Sequence, residues 1–237
     1  MLKVDFHTHT ADDPADRIPY TTHALIERAA AHGYDALAIT LHDAQLDLSP
    51  FERTARACNV VLLPGIERTI AGRHVLLINF SRAAESVCSF DDLARLKACE
   101  QGLVIAPHPY FPIGTALRDL AEPHAHLFDA VEVNAMFTRA IDFNERARAF
   151  AAAHGLPLVG NGDIHRLEQL DTTYALVDAA RNAADICAAV IAGRVRVEAQ
   201  PLTITKAARI MTDLVVTSVV PRRNSRRSSD TPALSRS

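Results

Sequence analysis

The sequence predicts an α/β fold built mainly on a parallel sheet, and three observations carry that reading. Short β-branched runs alternate with segments of helical period. The composition is that of a folded protein: 49% apolar and 22% charged residues, with nine Gly and twelve Pro in 237, which excludes disordered and collagen-like chains. Histidines and acids gather just after the strands. Barrels of this length are commonly single domains. One of this size buries about 70–75% of its unfolded surface, so it folds without a disulfide or a structural metal.

The elements follow in order. Lys3 to Phe6 reads as a first strand, and Thr22 to His32 as a helix with Leu25, Ile26 and Ala29 on one face and Gly33 stopping it. Asp35 to Thr40 is a second strand, Ser49-Pro50 opens the next helix, and Asn59 to Pro64 is a third strand. Glu67 to Ile70 and His74 to Asn79 flank Ala-Gly-Arg, which predicts a hairpin rather than a crossover. Ser89 or Asp91 caps a helix running to Gln101, and Leu103 to Ala106 is a strand ended by Pro107 and Pro109. Ala130 to Val133, a helix from Ala140 to His154, the strands Leu158 to Gly160 and Tyr174 to Val177, and a helix from Ala183 to Ala192 complete six or seven strands.

Placed on these strands, the polar residues fall into a pattern. His7 and His9 follow the first strand, His42 and Asp43 the second, Glu67 the third, His108 the fifth, Glu132 and Asn134 the sixth, and Asp163 and His165 the seventh. In a β/α barrel all these carboxyl ends share one face, where distant residues converge. Mixed imidazole and carboxylate ligands suit Zn, Mn or Fe, whereas oxygen-only sets suit Mg or Ca. The same rule places His124 and His126, which precede a strand, on the opposite face, and His23, His32 and His154 on helix surfaces.

Other chemistries lack their parts. There is no G-x-x-x-x-G-K-[ST], G-x-G-x-x-G or G-x-S-x-G segment, so triphosphate, dinucleotide and serine-hydrolase sites are not expected. The four cysteines are scattered singly and no leader or membrane-length apolar run is evident, which predicts a reduced, cytoplasmic protein without a membrane partner. The formal charge is −3. Residues 221–237 carry five Arg and one Asp, a local +4 that leaves −7 for the rest. That Ser- and Arg-rich end is expected to be a disordered tail, after a domain at 1–200 and an extension at 201–220.

With these residues in hand, the chain resembles the polymerase and histidinol phosphatase (PHP) superfamily. Asp5-Phe-His-Thr-His-Thr is similar to that family's opening motif, Ala38-Ile-Thr-Leu-His-Asp to its second, Pro64-Gly-Ile-Glu to its third, Ala106-Pro-His-Pro to its fourth and Gly162-Asp-Ile-His to its last. The resemblance implies a distorted (β/α)7 TIM-like barrel with two or three divalent ions (Mn, Zn or Fe) at the strand ends, usually serving phosphoester hydrolysis. It further implies that one ion is held by His7, His9, Glu67 and Asp163, with Glu67 bridging to a second held also by His74 and His108. A third takes His42, His165 and an acid of the first loop. The family usually has an Asp where this chain has Pro14; counting back from Leu25 favours Asp16, with Asp13 and Asp12 as substitutes. Leu41 and Gly162 also stand where Asp and Ser are common. Glu67, Asp163 and His165 are the catalytic candidates, and Arg68, Arg139 and Arg166 the candidates for clamping phosphate.

The expected activity is therefore metal-dependent hydrolysis of a small phosphomonoester, such as a nucleotide or metabolite phosphate. The alternatives are an amidohydrolase-like C–N hydrolase or a metal-binding module without catalysis. Amidohydrolase barrels typically need a Lys from a middle strand, and Lys97, the only Lys between residues 4 and 205, falls in an expected helix. A compact positive pocket in an acidic body is expected to favour small dianions over polyanions, making nucleic acid an unlikely partner.

Overall fold

The computed structural model describes residues 1–219; the expected tail at 221–237 lies outside them. The order is β1 (Leu2–Thr8), α1 (Thr22–Ala31), β2 (Ala36–Ile39), α2 (Glu52–Ala57), β3 (Val61–Ile70), β4 (Arg73–Ile78), α3 (Phe90–Cys99) and β5 (Leu103–Ala106). Then come β6 (Ala130–Asn134), α4 (Asn144–His154), β7 (Leu158–Asn161), β8 (Thr173–Val177), α5 (Ala183–Ile191), β9 (Val195–Ala199) and α6 (Ile204–Val219).

Local chemistry sets several of these boundaries. Thr21 caps α1 by accepting the Ala24 N–H. Ser89 caps α3, where it and Asp92 form a reciprocal capping box. Gly155 ends α4 in the left-handed region at φ 65°. Between β3 and β4, Ala71 and Gly72 take φ of 50° and 76°, as a tight hairpin turn demands.

The strands form one nearly closed sheet in the order β7-β6-β5-β4-β3-β2-β1-β8-β9. β1, β2 and β3 are parallel, as are β5, β6 and β7. β4 runs antiparallel between the two sets, and β8 and β9 are antiparallel additions beside β1. This is the distorted α/β barrel expected, and three elements differ from the sequence reading. α4 begins at Asn144 rather than Ala140. β3 does not stop at Pro64 but continues to Ile70, and β9 is an additional strand beyond the expected set.

Closure depends on sharing one edge of β1. β8 pairs with Leu2, Lys3 and Val4. Farther along, the Asn161 side chain accepts the Phe6 N–H at 3.0 Å, and His7 and His9 exchange backbone hydrogen bonds with Ile164. β7 also comes so close to β8 that a Cβ on Gly160 would lie 2.5 Å from the Tyr174 carbonyl oxygen. Inside, Val4, Phe6, Ala36, Ala38, Leu63, Leu76, Ile105 and Val159 pack together with Ile186, Ala189 and Val190 of α5. α1 and α2 cover β2, while α3 and α4 cover the β4 to β6 side.

Candidate metal centre

The site begins at the carboxyl end of β1. Its ladder with β2 slips register between Asp5 and Thr8, the kind of irregularity that re-aims side chains. The Asp5 carboxylate accepts the His7 N–H at 3.0 Å and the Gly162 N–H at 3.0 Å, joining β1 to the segment after β7. Burial pushes the Asp5 carboxyl up to about 7 despite these bonds. His7 and His9 are fully buried, with ring centroids 5.2 Å apart.

Glu67 reaches the same point because β3 overshoots β2. β2 ends at Ile39, and an isolated bridge joins His42 to Glu67 beyond it. In the hairpin, Glu67 faces Leu76 and Thr69 faces His74, so Glu67 and His74 are diagonal neighbours on one face. The two Glu67 oxygens serve different neighbours. Oε2 lies 3.3 Å from His7 Nε2, 3.4 Å from His9 Nε2 and 3.1 Å from His42 Nε2. Oε1 lies 2.6 Å from His74 Nδ1 and 3.1 Å from His108 Nε2.

Two buried carboxylates hold the imidazoles from behind. Glu132 Oε2 is 2.8 Å from His7 Nδ1, and Asp13 Oδ2 is 2.9 Å from His9 Nδ1 and 3.0 Å from His42 Nδ1. Glu132 also accepts the His108 N–H and both the Asn134 and Asn161 side-chain amides. Carboxylates in this position fix ring orientation and raise ligand basicity at metal sites. From the sequence Glu132 is only a strand-end acid and Asp13 only a substitute ligand; the spacing of Asp13 four residues after His9 is the available signal.

The donor set fits a divalent ion. His7 Nε2 and His9 Nε2 are buried without a hydrogen-bond partner. They stand 3.3 and 3.4 Å from Glu67 Oε2, and 3.4 and 3.6 Å from Asp163 Oδ1. Two ligands each about 2.1 Å from one tetrahedral ion lie about 3.4 Å apart. Donor atoms within 4.8 Å of one another also occur in the groups His7/His108/Asp163, His42/Glu67/His74 and His9/His42/His165.

Asp163 and His165 complete the far side. Asp163 and His108 are held at φ 48° and 29°, strained values that persist where surrounding structure fixes them. The Asn134 amide donates to Asp163 Oδ2 at 3.2 Å. His165 Nε2 lies 2.9 Å from Asp16 Oδ2, which is itself 4.0 Å from His42 Nδ1. Asp16 is thus the first-loop acid exposed to the cavity, while Asp13 sits behind the rings and Asp12 accepts the Thr22 hydroxyl. Burial works against the charged form of His165, but hydrogen bonds to Asp16 and Asp163 outweigh it and raise its pKa to about 10. The same opposition raises His7 beside Asp163, Glu67 and Glu132, and His42 beside Asp13 and Glu67. Burial raises Glu67 and Asp163, but His7 and the other surrounding histidines pull both well below the usual carboxylate range. Burial and the neighbouring His165 lower His9.

These groups floor a cavity of about 1020 Å³. Arg166 lines it and donates to the His165 carbonyl at 2.8 Å; Arg17, not singled out in the sequence, lines it too. Arg68 instead donates to Asp43 at 2.7 Å and to the Val87 carbonyl at 2.6 Å, outside the lining. Arg139 is exposed and also outside it. Lys97 lies in α3 and is held by Asp129 and the Leu127 carbonyl at 2.8 and 2.7 Å. His124 stacks on Phe90, and His126 is exposed away from the cluster. No helix among the described residues is long and apolar enough to cross a membrane.

Residues 142–195 match the family model described as PHP-associated. No curated protein sequence matches the chain. Among solved structures, the chain is similar to a two-domain protein from Bacteroides vulgatus containing a predicted PHP-like metal-dependent phosphoesterase, with 18% identity, TM-score 0.61 and coverage of 90% of this chain and 69% of the other. An amidohydrolase from Chromobacterium violaceum aligns at 14% identity and TM-score 0.55 over 90% and 96% of the two chains. The lesion-specific endonuclease Q of Pyrococcus furiosus aligns at 15% identity and TM-score 0.56 over 89% of this chain and 66% of its own.

The last likeness corrects one expectation. An endonuclease Q has been seen with a 27-mer duplex bearing an abasic lesion at its active site, so a barrel of this type accommodates nucleic acid and that substrate class is not excluded. The acidic body does not exclude a polyanion, because charges farther than about 8 Å are largely screened at physiological salt. The field at the cavity is set locally. Residues 142–195 thus resemble the PHP-associated family, and the barrel is the fold of PHP-like phosphoesterase structures.

Proposed function

We propose that this protein is a metal-dependent phosphoesterase that releases phosphate from a small phosphomonoester, ROPO₃²⁻ + H₂O → ROH + HPO₄²⁻. The observation that carries the reading is the set of four near-equal separations from His7 and His9 to Glu67 and Asp163. His7, His9, Glu67 and Asp163 would hold one ion, Glu67, His74 and His108 a second, and His42, His165 and Asp16 a third. The imidazole and carboxylate donors favour Mn, Zn or Fe. When bound, such ions polarise phosphoryl oxygens and lower the pKa of water toward neutrality.

The chain's own groups do the positioning. Asp13 and Glu132 fix the imidazoles, and Glu67 sets the spacing between its two groups of histidines. Arg166 and Arg17 bring guanidinium groups to the cavity that receives the phosphate. The barrel of residues 1–200 supplies the cluster, and Ala207 and Met211 of α6 line the cavity from beyond it.

The test is metal analysis of purified protein together with phosphate release from a panel of phosphomonoesters, an abasic DNA duplex and amide substrates. Bound metal with turnover of monoesters is expected. Cleavage confined to DNA or to amides would replace this reading with the corresponding one.

A further inference from the structure

The cavity has two unlike parts. Its floor is the His and carboxylate cluster, but much of its lining is apolar: Phe111 and Ile113 after β5, Met136, Ile141 and Phe143 after β6, and Met211 of α6. Seven large apolar side chains are exposed among the described residues, and four of them, Ile113, Ile141, Phe143 and Met211, line this cavity. Scattered apolar residues on a surface are ordinary, whereas their concentration at one place marks a binding surface.

The wall is continuous with the reactive floor. The Phe111 ring lies 6.4 Å from the His108 ring and 5.5 Å from the Phe143 ring, centroid to centroid. A group leaving the phosphoryl position therefore meets an aromatic surface within one ring of His108. The wall also offers little to a polyol. Asn134 spends its amide on Glu132 and Asp163 and its carbonyl on the Met136 N–H. Thr138 accepts the Ala140 and Ile141 N–H groups. Sugar hydroxyls placed against these apolar side chains would lose water for few partners, which is costly. A volume of about 1020 Å³ is at the upper end for pockets that take small organic ligands, far more than a phosphate alone needs.

We propose that the substrate is a phosphomonoester of an apolar, ring-bearing alcohol, with the phosphate on the floor and the ring against Phe111, Ile113, Ile141, Phe143 and Met211. This rests on the phosphoesterase reading for the reaction, but the recognition it describes is a binding property of the wall.

The experiment titrates 1-naphthylphosphonate and methylphosphonate, which cannot be hydrolysed at the P–C bond as esters are, into metal-loaded and metal-free protein by calorimetry. Burying the ring is expected to tighten binding on the order of 10- to 100-fold over the methyl compound in both forms, with a negative heat-capacity change. The double variant Ile113→Ser/Ile141→Ser should narrow that ratio at least about threefold; both side chains are exposed, so folding is preserved. Ile191→Ser, on an exposed site elsewhere, should leave it unchanged. Equal affinities, no binding of either compound, or an unaltered ratio in the double variant would overturn the proposal. In parallel, turnover of 1-naphthyl phosphate is compared with that of glycerol 2-phosphate. Ring-selective binding with no ester cleaved leaves the wall assignment standing and removes only the phosphoesterase reading; cleavage of both esters with equal kcat/KM does the reverse.

Discussion

Glu132 Oε2 lies 2.8 Å from His7 Nδ1 while His7 Nε2 is buried with no hydrogen-bond partner. One nitrogen is thereby committed to orienting the ring and the other is presented to Glu67 and Asp163. Replacing Glu132 with Gln keeps the shape but removes the charge that holds this tautomer. Metal affinity should fall about 10- to 100-fold, read by competition with a chelator, with the circular dichroism spectrum unchanged. Unaltered affinity would show that the contact does not tune the ligand.

Glu67 offers its two oxygens to separate groups of histidines. Glu67→Gln should therefore deplete more than one ion per chain in elemental analysis, whereas loss of His74 alone should deplete one at most. Full metal content in Glu67→Gln would refute the bridging role.

His42 and His126 separate the two ends of the barrel. His42→Ala removes a ring stacked 4.5 Å from His9 and should lower activity by orders of magnitude. His126→Ala should remain within about twofold of the parent, as surface substitutions usually do. Equal losses with folding intact would contradict the placement.

Proton linkage predicts how metal uptake depends on pH. Without ions, His7, His42, His108 and His165 have raised pKa values, because carboxylates outweigh the burial that opposes charge. Raised histidines stabilise the metal-free fold fully below the ordinary value of 6.5, and this contribution is lost as pH rises, for His165 up to about 10. The depressed carboxylates Glu67 and Asp163 act oppositely, their contribution being lost as pH falls below the ordinary carboxylate range. The Tm of metal-free protein should thus decline from near neutrality to pH 10, and added metal should reverse the decline. Binding should also release protons, since only neutral imidazole ligates; calorimetry in buffers of different ionisation enthalpy measures the number.

Gly160→Ala tests closure of the barrel. The new Cβ would lie 2.5 Å from the Tyr174 carbonyl oxygen, so β7 and β8 must separate, and a loss of about 1–3 kcal/mol is expected. A change in denaturation midpoint corresponding to less than about 0.5 kcal/mol would show that the strands part freely.

Read alone, the sequence determined the succession of strands and helices, because periodicity, caps and turn residues act within a few positions. The hairpin that carries His74, the Ser89 cap and the strand ends bearing His7, His9, His42, His108 and Asp163 were all legible in that way. Interactions across the barrel were not. The run of β3 through Pro64 depends on β2 and β4 beside it, whereas β9, outside the expected set, carries a legible Val-Arg-Val-Glu-Ala alternation. Only the tertiary structure decided that Asp13 stands behind His9 and His42 while Asp16 faces the cavity, two acids three residues apart in one loop. It likewise turned Arg68 to Asp43 and brought Arg17 to the cavity, and it assembled the apolar wall from three separate segments. The physical reason is the same in each case: local sequence sets backbone conformation, but which side a side chain faces and what meets it there depend on partners tens of residues away.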